Sequence, residues 1–304
     1  MGRDFWSGGD HAHFMAEHWH KRLPAHLPSL WSPERAAAVD LQRVRGWLRP
    51  PVTVNLHELG SDGSIVQTPV PPASAFERFT DSRDAVRPTL FAYRLHMVDR
   101  LFSELLAGFA IGYGWRHTSH AATISSPGGS VGLHADIMDV VLVQARGRRR
   151  WRVFPPAATP EVALAQLGAG RMVDWSKTPR PRGDLATLEC ELSPGDGLYI
   201  PALWAHEGVT LDSEPSVSLS FGWYGYTPHI VLAEVAGDEA ADRAATSAPH
   251  RLFRPIDDPL AGVNPAHHYV SELCAATGVP PSDGLRAAVW DLVTRGPRRT
   301  RNMS

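Results

Sequence analysis

The chain has 304 residues, of which 43% are hydrophobic and 20% charged, enough apolar material for a sizeable core and too much for a disordered segment. Lys and Arg number 30 against 32 Asp and Glu, a net charge of −2, which excludes a strongly basic nucleic-acid binder or a polybasic membrane-surface protein. Two cysteines, Cys190 and Cys274, are too few for a disulfide framework or a thiolate zinc site. No apolar run approaches the ~18 residues of a membrane span. The opening MGRDFWSGGDHAHF lacks the pattern of a signal peptide, and Trp6 stands where a myristoylation signal needs Ser or Thr. These absences are read as a soluble cytoplasmic protein. The 26 Gly and 26 Pro imply frequent turns and short strands rather than long bundles.

Residues 1–28 carry His11, His13, His18 and His20 around Trp19. Two H-x-H pairs resemble metal bait, but on a helix the two rings of such a pair point about 200° apart. An amphipathic opening helix is therefore expected. Ser32-Pro33 reads as an N-cap followed by Pro at the first helical position, opening a helix to about Trp47. Val52, Val54 and Leu56 alternate with polar residues, predicting a strand at 51–58, and Gly60-Ser61-Asp62-Gly63 turns into a second strand at Ile65–Thr68. From Thr89 to Phe109 apolar residues recur at helical spacing, predicting the longest helix. After Gly112 the texture changes to short apolar runs separated by turns. Seven or eight strands are expected across 120–224, broken by a helical or looped insertion at about 157–183. Helices return at 230–244, 265–277 and 283–294, before a basic tail from Arg295 to Arg301. So much strand with so little helix predicts a sandwich or rolled barrel.

Chemistry concentrates in two places. Gly132-Leu133-His134-Ala135-Asp136 sits where a strand pattern opens, and residues i and i+2 of a strand share a face. Seventy residues later, Pro194-Gly195-Asp196-Gly197 turns into Leu198-Tyr199-Ile200-Pro201, followed by His206. Two His and one carboxylate, two close in sequence and one remote, is the layout of a facial triad that holds Fe(II) and leaves positions open. A His two residues from an Asp is by itself a common surface feature. Its surroundings decide.

The stretch SPGGSVGLHADIMDVVLVQARGRRRWRV, residues 126–153, resembles the metal-binding core of the JmjC and cupin-like 2-oxoglutarate oxygenases. The nearest type is the bacterial ribosomal oxygenases that hydroxylate arginine in a ribosomal protein. A second block, LSPGDGLYIPALWAHEGV at 192–209, is similar to the strand pair carrying their distal His, and HWHKRLP near the start resembles their opening segment. The resemblance spans about residues 15–225. It implies a mainly β fold with flanking helices: a double-stranded β-helix (jelly-roll, cupin) core at 116–226, an N-terminal helical and short-strand segment at 1–115, and a C-terminal helical region at 227–304.

The resemblance further implies that His134, Asp136 and His206 ligate Fe(II), and that Arg149, fifteen residues after the first His, grips the distal carboxylate of 2-oxoglutarate. A guanidinium suits that role because it offers two parallel hydrogen bonds. Thr123 fits a hydroxyl position that assists the same carboxylate, and Ser218 one that approaches the metal-side carboxylate. Arg148 and Arg150 should face outward, although a one-residue slip would exchange these roles. Asp139 is expected to be structural or substrate-facing. Tyr199, Trp151 and Trp204 read as core by default, with Trp204 also placed to narrow the substrate mouth, and His117 and His120 as structural or rim residues.

The chemistry implied is hydroxylation with O2 and 2-oxoglutarate, giving succinate and CO2, with ascorbate as a supporting reductant. The room after the core predicts three helices, suited to a homodimer, and no winged-helix domain. That departure points from a ribosomal protein toward a peptide substrate, for example a ribosomally made peptide natural product. Two other readings stay open: a small-molecule hydroxylase of secondary metabolism, and a metal-binding cupin module without turnover. Hydroxylation and N-demethylation are not separated. No nucleic-acid or membrane partner is expected.

Overall fold

The computed structural model describes residues 11–19, 23–59, 65–82, 86–102, 117–136, 138–160, 163, 180–224, 270–271, 273–275 and 280–295. Strands dominate because the apolar and β-branched runs are short and end in turn residues. In chain order they are β1 (Ala25–Leu27), β2 (Thr53–Leu59), β3 (Ile65–Val70), β4 (Arg87–Tyr93), β5 (His117–Ser125), β6 (Met138–Arg146), β7 (Arg149–Phe154), β8 (Leu188–Leu192), β9 (Gly197–Ile200), β10 (Ala205–Thr210) and β11 (Ser216–Tyr224). Eight form one sheet in the order β1-β9-β6-β11-β5-β4-β2-β3, and three form a second in the order β10-β7-β8. All their pairings are antiparallel. The fold is the mainly β, cupin-like architecture with few helices.

The helices are α1 (His11–Phe14, continued by a π-turn to Trp19), α2 (Pro33–Ala37), α3 (Leu41–Trp47), α4 (Pro72–Ser82) and α5 (Asp283–Arg295). Ser32 caps α2 as expected, its hydroxyl accepting from the Arg35 amide at 3.3 Å. The single helix expected to Trp47 is two, because Asp40 starts a new one by accepting from the Arg43 amide at 2.7 Å. Apolar residues of α2, α3 and α4 (Ala36, Val44, Trp47, Ala75, Phe79) cover one face of the large sheet and share one core with it. From the sheet come Val54 and Leu56, Leu90 and Ala92, Ala122 and Ile124, Val141 and Val143, and Val217 and Leu219. Full burial of such a side chain stabilises by about 1.5–3 kcal/mol.

The helix expected over 89–109 is the main correction. Residues 87–93 are strand β4, bonded to β2 on one side and β5 on the other, and Leu95–Met97 is a 3-10 turn. Helical structure begins at Arg100, and residues 103–116 lie outside the described ones. Both faces of β4 are occupied, Leu90 and Ala92 in the helix-covered core and Thr89 buried on the other side. A strand covered on both faces reads as a continuous apolar run, so period alone misassigns it. Asp99 anchors the following turn, accepting from Arg43 Nε at 2.8 Å, Arg43 Nη2 at 2.9 Å, Trp47 Nε1 at 2.8 Å and the Leu101 amide at 2.9 Å. Burial opposes its ionisation, but these bonds win and hold its pKa down to about 2.

Strand β1 and helix α4 were not expected from the sequence; β2 starts two residues later and ends one later than expected, and β3 runs two residues further. Seven strands occupy the region 117–224, within the expected number. Most of the 157–183 insertion and the 230–244 helix lie outside the described residues, whereas α5 matches the helix expected at 283–294. Among the described residues, no helix is long and apolar enough to cross a membrane.

Candidate active site

The loop leaving β5 carries the first two candidate ligands between the sheets. Its start is tied to β4 by the Ser126 amide, which donates to the Pro88 carbonyl at 3.0 Å. Gly132 has φ +84° and no room for a Cβ against the Ile65 side chain of β3, so this crossing requires glycine. His134 then forms an isolated bridge with His206 of β10 rather than opening a regular strand. Their amides and carbonyls exchange bonds of 3.0 and 2.7 Å, and the rings lie 4.2 Å apart.

The polar geometry is that of a three-donor cluster. Asp136 Oδ2 lies 4.0 Å from His134 Nε2 and 3.8 Å from His206 Nε2. The candidate donor atoms of all three residues fall within 4.8 Å of one another. His134 Nδ1 donates to the Gly132 carbonyl at 3.0 Å and His206 Nδ1 to the Trp204 carbonyl at 2.9 Å. A carbonyl can only accept, so each Nδ1 carries a proton and each Nε2 is turned toward Asp136, the orientation expected of imidazole ligands. Burial, and then the nearby His134, lower the His206 pKa well below the imidazole range, against the pull of the Trp204 carbonyl. Burial raises the Asp136 carboxyl, and His134 opposes that rise. Two imidazoles and a carboxylate with no thiolate suit a ferrous ion.

The second element is Arg149, 1% exposed on the inner face of β7. Its Nη1 donates to Thr123 Oγ1 at 2.9 Å and to Ser218 Oγ at 3.4 Å, and its Nη2 donates to the Gly208 carbonyl at 2.8 Å. None of these partners is an acid, its Nε has no protein partner, and burial lowers its pKa to about 10, leaving it charged at neutral pH. A buried cation bonded only to neutral groups is costly unless an anion arrives. The guanidinium lies 5.0 Å from the centre of the Trp151 ring, which is itself 6.1 Å from the His206 ring. Gly208 leaves space for that indole, since a Cβ there would come within 2.7 Å of it.

The flanking arginines face outward. Arg148 and Arg150 are about half exposed and pair with Asp212 at 2.9 Å and Glu191 at 2.8 Å. Thr123 sits at the guanidinium, while the bonds of Ser218 tie it to the same end rather than to the metal-side carboxylate. Ser218 donates to Gln144 Oε1 at 2.7 Å, and Gln144 Nε2 is held by the carbonyls of Arg146 and Gly147 at 2.7 and 3.0 Å. Gln144 was missed, although a lone amide in the apolar run VVLVQA is a visible signal. Asp139 is structural, accepting from the Ala202 amide at 2.8 Å. Tyr199 and Trp151 are buried as expected. Trp204 is buried as well, 8% exposed and packed with Val140, Leu198 and Ile200 between the sheets, in line with its core reading. His120 lies beside Phe102 and Phe221 and bonds His96 at 2.9 Å, away from the cluster, and the His117 side chain is outside the described residues. His18 is structural too, donating to the Pro24 carbonyl at 3.1 Å.

Sequence reading also missed the wall formed by β2 and β4. His57 is 8% exposed, and burial followed by the nearby His134 pushes its pKa down to about 4. Tyr93 is pushed up to about 12 by burial, with an opposing hydrogen bond from Asn55 and a further rise from Asp136.

Comparison with known proteins bears on this geometry. The chain is 32% identical over 142 residues to the ribosomal protein uL16 3-hydroxylase of Escherichia coli, covering 42% of this chain and 34% of that protein. It is 35% identical over 117 residues to a probable ribosomal oxygenase of Haemophilus influenzae, covering 36% of this chain and 24% of that protein. The matches thus span a quarter to a third of the length of these relatives. A solved structure of the ribosomal oxygenase YcfD from Escherichia coli, in complex with cobalt and 2-oxoglutarate, superposes with a TM-score of 0.55 at 25% identity, over 87% of this chain and 65% of that one. Residues 111–229, which carry the His/Asp cluster and the buried arginine, match the family model of the JmjC domain.

Proposed function

We propose that this protein is an Fe(II)- and 2-oxoglutarate-dependent oxygenase that hydroxylates an amino-acid side chain of a peptide or protein. The observation that carries the reading is the pairing, in one interior, of a convergent His/Asp/His cluster with a buried arginine that has no acidic partner. His134, Asp136 and His206 would hold the metal, and Arg149 with Thr123 and Ser218 would bind the far carboxylate of 2-oxoglutarate. With both bound, the site supplies the oxygen-activating chemistry that places one oxygen atom in a C–H bond of the substrate, the other entering succinate as CO2 leaves. The residues of the chain position these groups and keep water out; none needs to act as a general base.

The relatives named for a ribosomal protein support a protein substrate, and a ribosomally made peptide fits the same chemistry. The reading includes a cytoplasmic location, a catalytic core at 116–226 flanked by 1–115 and 227–304, and a homodimer formed through the C-terminal helices. The test is incubation of host extract, split into protein, peptide and small-molecule fractions, with enzyme, Fe(II), 2-oxoglutarate and ascorbate, and with Asp136→Ala as the control. A gain of one oxygen atom in the protein or peptide fraction, dependent on active enzyme, is the expected result. A product only among small molecules replaces the substrate class, and no consumption of 2-oxoglutarate leaves a metal-binding module without turnover.

A further inference from the structure

The inner face of the large sheet continues past the cosubstrate residues onto β5, β4 and β2. In register, His57 lies beside Thr89 and Ser125 in one row, and Asn55 beside Phe91 and Thr123 in the next. The loop bearing His134 and Asp136 crosses this end of the sheet, from its tie at Pro88 to its contact with Ile65. His57 and Tyr93 lie on these strands, within electrostatic reach of His134 and Asp136 respectively.

Most polar groups on this wall already have partners. Thr89 donates to Ser125 at 3.0 Å, and Asn55 and Tyr93 bond each other. His57 does not: its Nε2 is buried without a hydrogen-bond partner, and its described ring neighbour is Phe91 at 6.2 Å. A buried polar atom left without a partner is costly, and a ligand's hydrogen bond would recover that cost. The charges of the wall limit what that ligand is. Positions 55, 57, 89, 91, 93, 121, 123 and 125 hold no Asp or Glu and no Lys or Arg. Arg87, in phase with them, is exposed at the strand's start against Gly128. Asp136 is committed to the imidazoles and Arg149 to the cosubstrate. A guanidinium, ammonium or carboxylate inserted here would be buried without a counter-charge.

We infer, on the basis of the oxygenase reading above, that His57 is a substrate-binding residue whose free imidazole nitrogen hydrogen-bonds the side chain being oxidised, and that this side chain is uncharged and polar: an amide, an imidazole or a hydroxyl. The experiment uses the full chain with Fe(II) and 2-oxoglutarate on a proteolytic digest of host protein, with mass spectrometry locating the added oxygen. The expected product carries it on Asn, Gln, His, Ser or Thr. For a synthetic copy of the modified peptide, His57→Phe raises KM by about tenfold, the worth of one hydrogen bond, while KM for 2-oxoglutarate stays within about twofold. His57→Gln, which can still bond, recovers most of the loss. The melting temperature of His57→Phe is not lowered, since the variant removes an unsatisfied polar atom, so a folding defect is told apart from a binding one. Oxygen on Arg, Lys, Asp, Glu or an aliphatic side chain overturns the inference, as does a peptide KM unchanged in His57→Phe. A KM for 2-oxoglutarate that rises in parallel assigns His57 to the cosubstrate instead. Succinate formation with no peptide product also overturns the inference while leaving the oxygenase reading standing, and no succinate at all removes that reading.

Discussion

The two faces of the eight-stranded sheet are built from adjacent residues of the same strands, yet they do opposite work. One face presents Val54, Leu56, Leu90, Ala92, Ile124 and Leu219 to the helices, and burial of apolar area makes it the main source of stability. The other presents Asn55, His57, Thr89, Thr123, Ser125, Gln144 and Ser218 to the interior between the sheets, all of them buried. Buried polar groups add little stability and lock geometry only where they are bonded. The period-2 alternation of a strand thus separates a structural face from a chemical face one residue away, and the chemical face continues onto β7 at Arg149 and β10 at His206.

That contrast yields ordered expectations. On the chemical side the largest effect belongs to the cluster: His134→Ala or Asp136→Ala lowers iron-dependent succinate formation by more than about 100-fold with a cooperative melt retained, and normal turnover in either variant would discard the cluster as a metal site. On the structural side Leu90→Ala costs about 3 kcal/mol in denaturant unfolding, because it leaves a cavity in the helix-covered core. Its neighbour Thr89→Ala costs about 1 kcal/mol, one hydrogen bond to Ser125; equal costs at the two positions would erase the distinction between the faces. Arg149→Ala raises the 2-oxoglutarate requirement roughly 100-fold with metal affinity intact, whereas Arg150→Ala, whose ion pair is exposed, leaves the requirement unchanged; titration calorimetry separates the two.

Smaller effects sharpen the picture. Asp99 titrates below its usual value near 3.8, down to about 2, so its contribution is complete above the unfolded value and is lost as pH falls toward the folded one. Between pH of about 4 and 2 the wild type should lose about 1–2 kcal/mol that Asp99→Asn does not, measured by urea unfolding across pH. Ser218→Ala should raise the 2-oxoglutarate requirement only about fivefold, since Thr123 and the Gly208 carbonyl still hold the guanidinium.

What was legible in the chain follows from how local each signal is. The H-x-D block, the Pro194–Gly197 turn before β9 and the Ser32 cap are short-range features, and each stands close to where its spacing put it. Alternation along β7 was enough to turn Arg149 inward and Arg148 and Arg150 outward, because a pleat leaves no other choice once one face is buried. The same rule failed at β2, where polar residues alternating with Val54 and Leu56 pass for a solvated face. Only the tertiary structure makes that face interior, with Asn55 and His57 both buried. It failed again at β4, whose coverage on both sides makes a strand resemble a helix.

Residue order alone therefore decided which chemistry the chain carries: two imidazoles, a carboxylate, and an arginine in the right phase, marked by local motif and pleat. Tertiary structure decided what those groups meet. Gln144 behind Ser218, Trp151 along the span from Arg149 to His206, and His57 within electrostatic reach of the cluster are assembled by pairings between strands that lie far apart in sequence. No local periodicity encodes such pairings. They exist because the helices cover the apolar face of the large sheet and leave its polar face to the interior.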